Sequence, residues 1–198
     1  MEKEIIVPGE KAGDDVDSFV FDSNGEKRSM ILGMLIKDGE KNRIIPLKGK
    51  YLPEQDDYVI GIVSDVRYGG CSVELNSPYD AYLRTQAEYT FGDVIFAKID
   101  QVSETKDIDL VDDRKLFGGE VIEVNPVKIP RIIGKKNSMI TLIKEKTGCM
   151  IFVGRNGRIW LKGENAAKAK EAIRKIEAET HSSGLTEKIS ALLEKKVN

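Results

Sequence analysis

Residues 127–151 read V-K-I-P-R-I-I-G-K-K-N-S-M-I-T-L-I-K-E-K-T-G-C-M-I, and this run constrains the fold more than any other part of the chain. Two short helical patterns flank Gly134-Lys135-Lys136-Asn137, and Thr147-Gly148 then leads into a strand. Such a tight turn puts backbone N–H groups and two ammonium groups at the start of a helix, where an anionic backbone is stabilised. The same four residues also suit a purely structural helix–helix turn. Asn137 is the non-glycine type most tolerant of left-handed backbone angles, so either reading allows a sharp loop.

The charge distribution favours a polyanion on this segment. Residues 1–54 carry net −2, residues 55–117 net −7 and residues 118–198 net +7. A step of that size near Phe117-Gly118-Gly119 marks a domain boundary and directs any polyanion to the C-terminal third. Lysine-rich, solvated helix faces would give the same excess, so it is the loop that gives the charge a function.

The 198 residues suit two or three small domains, and 40% apolar with 32% charged is ordinary for a soluble globular protein. No apolar run approaches the roughly 20 residues of a membrane span, and the start lacks the basic n-region and cleavage site of a secretory signal. The expected location is therefore cytoplasmic, with no membrane partner. Cys71 and Cys149 lie in separate segments without C-x-x-C spacing, which argues for two reduced, buried thiols rather than zinc.

The first third reads as β-structure. Ile5-Ile6-Val7 is a short strand closed by Pro8-Gly9, Asn24-Gly25 is a hairpin signal, and 30–36 and 43–47 are apolar runs separated by the turn-forming 37–40. Pro46 and Pro53 exclude long central strands here. Residues 57–111 then hold five strand-like runs, at 58–66, 71–75, 81–83, 94–99 and 108–111, which suit a small closed barrel. Val94, Phe96 and Lys98 give one alternating set. The last third reads strand, helix, helix, strand, strand, helix, with Ser138 as the cap of the second helix. Asn156-Gly157 favours a type I′ turn. Ala166, Ala169, Ala172, Ile173 and Ile176 are the buried stripe of a long helix, and a short amphipathic helix follows with Leu185, Ile189, Leu192 and Leu193. The fold class expected is multidomain, mainly β plus α/β. The boundaries expected are 1–53 (small β-domain), 54–117 (OB-type barrel), 118–182 (β-α-α-β-β-α) and 183–198 (terminal helix).

The last third, with its Gly134-Lys135-Lys136-Asn137 loop, resembles a KH domain, whose G-x-x-G loop clamps about four nucleotides of single-stranded RNA. It departs from that pattern at Asn137. By this resemblance Arg131, Gly134, Lys135 and Lys136 are candidate RNA contacts, the cations adding charge without reading sequence. The Val-Ser-Asp-Val-Arg-Tyr-Gly-Gly stretch, 63–70, and Gly92-Asp93-Val94 resemble an S1 RNA-binding domain. This implies that Tyr68 stacks on a base, with Arg67 and Arg84 close by for phosphates. A turn aromatic shielding the barrel end is the other reading of Tyr68. The family's second aromatic falls at Cys71, so one platform is missing, and net −7 departs from a basic groove.

An S1-like segment followed by a KH-like one containing Gly154-Arg155-Asn156-Gly157 resembles a specific group, the S1/KH cap subunits of the RNA exosome. Ile-Ile-Val-Pro-Gly-Glu near the start and Tyr-Leu-Pro-Glu before the barrel support the likeness, which covers nearly the whole chain and points to the archaeal form that accompanies ribosomal-RNA processing. The resemblance implies a trimeric cap on a hexameric ring of phosphorolytic RNase subunits, arranged as three heterodimers. It also implies recruitment of single-stranded RNA with adenine-rich 3′ tails, docking through the N-terminal domain, and active sites that belong to the ring. In it Gly154, Asn156 and Gly157 are structural turn residues. The residues themselves suggest no enzyme, metal or cofactor. His181, the single histidine, sits in a polar linker, and Asp107, Asp109, Asp112 and Asp113 read as an acidic edge with the last two opening a loop. A free-standing regulatory S1/KH protein, acting in translation or RNA stability, is the alternative.

Overall fold

The computed structural model describes residues 2–13, 15–16, 20–37, 42–46, 51–179 and 185–194, so His181 and the turn at 38–40 lie outside the described residues. The chain divides into two compact units, Met1–Gly49 and Lys50–Asn198. In the first, β1 (Glu2–Ile6), β2 (Val20–Ser23), β3 (Glu26–Ser29), β4 (Gly33–Lys37) and β5 (Asn42–Pro46) form a sheet of order β1-β4-β5 and a separate β2-β3 hairpin. Asn24 and Gly25 both have positive φ, 55° and 77°, as a two-residue type I′ turn requires. Ile6, Ala12, Val16, Leu35 and Ile44 make its core. Pro46 ends β5, an edge strand that among the described residues pairs with β4, and proline is tolerated at such an edge.

The second unit opens with a closed barrel of β6 (Tyr58–Arg67), β7 (Gly70–Glu74), β8 (Ala81–Arg84), β9 (Val94–Val102) and β10 (Ile108–Leu116), in the order β10-β8-β7-β6-β9. Five strands closed in this way leave no free edge, as in OB-type folds. In β9 the inward residues are Ile95, Ala97 and Ile99, so the alternating set read from the sequence, Val94 and Phe96, faces the other way. That face is covered by the neighbouring domain, which is why both faces of β9 are apolar and its period is blurred. Asp112 and Asp113 also differ from expectation. They sit in a bulge within β10, Asp112 at φ 53°, and not in a loop.

The remainder is built from β11 (Glu120–Glu123), α1 (Ile129–Ile133), α2 (Ser138–Thr147), β12 (Met150–Val153), β13 (Arg158–Lys162), α3 (Ala166–Ala178) and α4 (Leu185–Glu194). An antiparallel sheet of order β11-β13-β12 packs one face on the helices. The predicted stripe of α3 is realised, with Ala169, Ala172, Ile173 and Ile176 buried and Ala166 half-buried. α4 buries Leu185, Ile189 and Leu193 in this same core, so its apolar side packs within the domain. Asn137, left-handed at φ 64°, is the N-cap of α2, and Ser138 is its first helical residue rather than the cap.

The barrel and this domain are joined through the Gly154–Gly157 loop. Only Gly157 in it has positive φ, 84°, and Gly157 N–H donates to the Gly154 carbonyl. The loop is therefore a type I turn followed by a left-handed glycine, not the expected type I′. The difference frees the Asn156 side chain, which is 0% exposed. Its Nδ2 donates to the carbonyls of Ile60 and Leu75, both at 2.8 Å, and its Oδ1 accepts from Ile60 N–H at 3.2 Å. Arg155 N–H donates to the Tyr58 carbonyl at 2.8 Å, so the loop extends the ladder of β6. A Cβ on Gly154 would lie 2.7 Å from Ile60 N, which explains a glycine there.

Buried Arg158 reinforces the seam. Its Nε donates to Glu123 at 3.1 Å, its Nη1 to the Glu74 carbonyl at 3.0 Å, and its Nη2 pairs with the Glu74 carboxylate. Around these polar contacts Ile60, Leu116 and Trp160 form a dry cluster, with Val94, Phe96, Val121 and Phe152 packed on it. Replacing Asn156 by Ala strips partners from three buried backbone groups. A loss of roughly 3 kcal/mol is expected, because each orphaned group costs about 1–3 kcal/mol before water relieves it. Urea denaturation followed by emission of Trp160, the chain's one tryptophan, measures this. A loss below about 0.5 kcal/mol would remove the seam from the account.

Candidate nucleic-acid interface

One of the two sequence-predicted groups lies on the barrel end. The β6–β7 hairpin turns through Tyr68 and Gly69, and Gly69 has φ 85°. This lifts the Tyr68 ring clear of the body at 106% relative exposure, so it does not shield the barrel. Thr85 N–H donates to the Gly69 carbonyl at 3.3 Å, tying the following loop to the hairpin. An open groove of about 750 Å³ runs between the two, lined by residues 66–71 and 85–90. That size accepts a nucleoside.

The cations at this end are present but compensated. Arg67 Nε donates to Asp65 at 2.7 Å, a contact that raises the pKa of the guanidinium above its usual value. Arg84 ends β8 beside Gly70, is largely exposed, and stands 3.9 Å from Asp109. Cys71 is buried in the barrel core, and desolvation raises its thiol pKa, so it offers neither a stacking face nor a nucleophile. Tyr89 at the groove floor is buried and donates its hydroxyl to Asp113; burial first and then that carboxylate raise its pKa, keeping it protonated. The acidic residues read as an edge thus have individual tasks. Asp107 closes the 103–107 turn, Asp109 accepts from Gln101 at 2.7 Å, and Asp113 holds Tyr89.

The second group lies on the KH fold. Gly134, at φ 76°, ends α1, and a Cβ there would meet Met139 N at 2.7 Å, so the helices approach too closely for any side chain. Lys136 and Asn137 follow in left-handed conformation at φ 52° and 64°. Lys135, Lys136 and Asn137 are all exposed, and Arg131 is half-buried one turn back. The loop shape expected of G-x-x-G therefore survives the asparagine. The structure does not unite the two groups. Tyr68 follows the C-terminal end of β6, whereas Asn137 of the KH loop lines the cleft beside its first residue, Tyr58. Nine residues of strand separate those ends by about 30 Å.

Sequence reading missed three kinds of residue. Arg158 is buried in a strand and gave no signal beyond a charge at a position flanked by apolar ones. Asn156 was legible as a turn residue, not as a clamp. Tyr58 and Phe96, whose rings stack at 5.3 Å and 9°, looked like ordinary barrel residues.

A closed five-stranded barrel fused to a KH domain, with an exposed aromatic on one and a cationic loop on the other, defines a protein of the nucleic-acid-binding class. The family model for the KH domain matches residues 119–167. The exosome complex component Rrp4 of Methanobrevibacter smithii is 41% identical over 94% of this chain and 70% of its own length. That of Methanothermus fervidus is 36% identical over 97% and 96%. A crystal structure assigned as an exosome complex RNA-binding protein superposes with TM-score 0.66 at 34% identity, over 74% of this chain and 96% of its own. The chain belongs to the Rrp4 family of exosome complex components.

Two outcomes test the two groups. Tyr68→Ala is expected to weaken binding of an oligoadenylate by about 1–3 kcal/mol if the ring stacks on a base, with unfolding midpoint unchanged because the ring is wholly exposed. Fluorescence-anisotropy titration reads this, and unaltered affinity makes Tyr68 a bystander. Reversing the charge of Lys135 and Lys136 together should flatten the slope of log K against log salt by about 1.4, since each single-strand phosphate contact contributes about 0.7. An unchanged slope takes the loop off the interface.

Proposed function

We propose that this protein is a non-catalytic RNA-binding subunit of an exosome, mounted on a ring of phosphorolytic RNase subunits. It recruits single-stranded RNA, favours adenine-rich 3′ tails, and passes the strand to active sites in the ring. The observation that carries the reading is the membership of the Rrp4 family together with the exposed Tyr68 beside Arg67, on a barrel locked to a KH domain. Cytoplasmic location and an assembly of three caps on three ring heterodimers belong to the same proposal.

Ring docking falls to the N-terminal unit. Its sheet leaves Ile5, its hairpin Phe21 and the residue after β3, Met30, exposed at 63%, 43% and 58%, apolar surface that a partner would cover. The RNA surfaces are the Tyr68 groove with Arg67 and Arg84, and the KH loop with Arg131, Gly134, Lys135 and Lys136. Each is modest because its cations are few or compensated. Three copies around one strand raise the effective concentration of the second and third contacts, so the assembly binds where one copy is weak.

Mixing the chain with ring subunits of its family tests this. The expected result is a stable complex on size-exclusion chromatography, with faster phosphate-dependent shortening of an adenine-tailed RNA than the ring achieves alone. The chain alone should leave a 5′-labelled oligonucleotide intact with phosphate. Shortening by the chain alone would make it an enzyme, and RNA binding without ring association would favour a free-standing S1/KH regulator.

A further inference from the structure

From the end of β10, we infer that the Tyr68 groove continues onto a second stacking site, where one unpaired nucleobase rests on Phe117 with its phosphate on Lys162. This rests on the RNA-binding reading above and adds a contact at the point where the barrel passes into the KH domain. Tyr89 is the floor of the Tyr68 groove, and Phe117 is the first residue after β10. The Lys115 ammonium stands over both rings, 5.5 Å from the centroid of Tyr89 and 5.4 Å from that of Phe117. The groove and Phe117 are thus a single cation apart. Phe117 is 66% exposed, so one face of its ring meets Lys115 while the rest is open.

The ring is held in place from both sides. Its carbonyl accepts from Lys162 Nζ at 2.8 Å. Gly118 and Gly119 follow at φ 63° and 94°, and a Cβ on Gly119 would lie 3.1 Å from the Trp160 ring. The chain leaving Phe117 is therefore pressed onto the junction core. On the barrel side, Lys115 is fixed by Asp93 at 2.5 Å, and both side chains are largely buried. The same Asp93 carboxylate accepts Thr90 N–H at 2.7 Å, its own N–H donates to the Thr90 carbonyl at 3.1 Å, and Gly92 takes φ 85°. This is a type II turn, with Phe91 at its outer corner and 81% exposed. One ion pair thus anchors two outward rings. An aromatic fixed in this way offers a π-face without further ordering cost, as base stacking on single strands requires.

The charges suit an anionic backbone. Three acids around the rings are engaged within the fold: Asp93 with Lys115, Asp113 with the Tyr89 hydroxyl, and Glu120 with Lys170 at 2.6 Å. Lys162 differs. It is exposed at the end of β13, bonds to a backbone carbonyl, and pairs with no carboxylate among the described residues. An ammonium has three donors, so it can hold that carbonyl and a phosphate oxygen together. A protein segment laid on Phe91 and Phe117 would have to bring an acid to Lys162. An RNA strand supplies both the planar base and the negative charge, and it alone has reason to run on into the Tyr68 groove.

The test is photocrosslinking of the full chain to single-stranded oligouridylate carrying one internal 5-iodouridine, with crosslinked residues located by mass spectrometry and affinity read by anisotropy. The expected result is a crosslink at Phe117 in addition to any at Tyr68. Phe117→Ala should weaken binding at least about fivefold, as loss of one stacked base does, while Phe117→Tyr stays within about twofold. Lys162→Gln keeps a donor for the Phe117 carbonyl but removes the charge, and should flatten the slope of log K against log salt by about 0.7. Both side chains are exposed, so the unfolding midpoints of these variants should match the parent's. Crosslinks that spare Phe117, with Phe117→Ala binding as tightly as the parent, would overturn this site and leave RNA binding standing. Phe117→Ala that keeps its RNA affinity but no longer assembles with ring subunits would overturn it as well, and would make the patch a protein-docking surface. A parent chain that neither binds nor crosslinks would overturn both this site and the RNA-binding reading.

Discussion

A single carboxamide sets the relation between the two nucleic-acid modules. Asn156 has all its strong hydrogen-bonding positions but one engaged with backbone of β6 and the residue after β7, and it is wholly buried while doing so. No other uncharged side chain of similar size offers a donor pair and an acceptor in that geometry. Aspartate would lose both donors, and an aliphatic residue would orphan three backbone groups. The surrounding apolar cluster of Ile60, Leu116 and Trp160 excludes water and so strengthens these bonds. Arg158 adds charge across the seam, yet a buried pair of that kind contributes register more than net stability.

Fixing the junction has consequences for both ends of β6. One end carries Tyr68 and its groove, the other carries Tyr58 and the cleft against α2. Were the barrel and KH domain joined by a loose linker, each would bind RNA as an independent weak site. Joined rigidly, they present aromatic and cationic groups at set positions along one strand, so the entropy of arranging them is absent at binding. A barrel segment of net −7 is compatible with the proposed RNA binding for a further reason. Several of its acids are engaged within the fold, among them Asp57 with Arg155, Asp93 with Lys115 and Asp113 with Tyr89.

What was legible in the sequence was mostly local. The KH helices and their loop follow from Gly134 and the flanking apolar periods, and the β2-β3 turn follows from Asn24-Gly25. The α3 stripe needed only a 3.6-residue count. Three readings went astray for one reason, which is that tertiary partners redirect local signals. In β9 the Phe96 face is apolar because another domain covers it, so the alternation of Val94, Phe96 and Lys98 did not mark the inward set. Asp112 and Asp113 looked like the start of a loop because a bulge imitates one. Asn156-Gly157 suggested type I′, but Asn156 is retained for a partner 96 residues away and keeps a negative φ.

The most direct measurement is native-state hydrogen exchange at the amides of Ile60 and Arg155, each of which is bonded across the seam. If the barrel and KH domain are one rigid body, both amides exchange only in openings as costly as those that expose Val73 in the barrel core. Exchange of Ile60 and Arg155 in a faster class, with Val73 still protected, would mean that the modules part freely, and the account would fail.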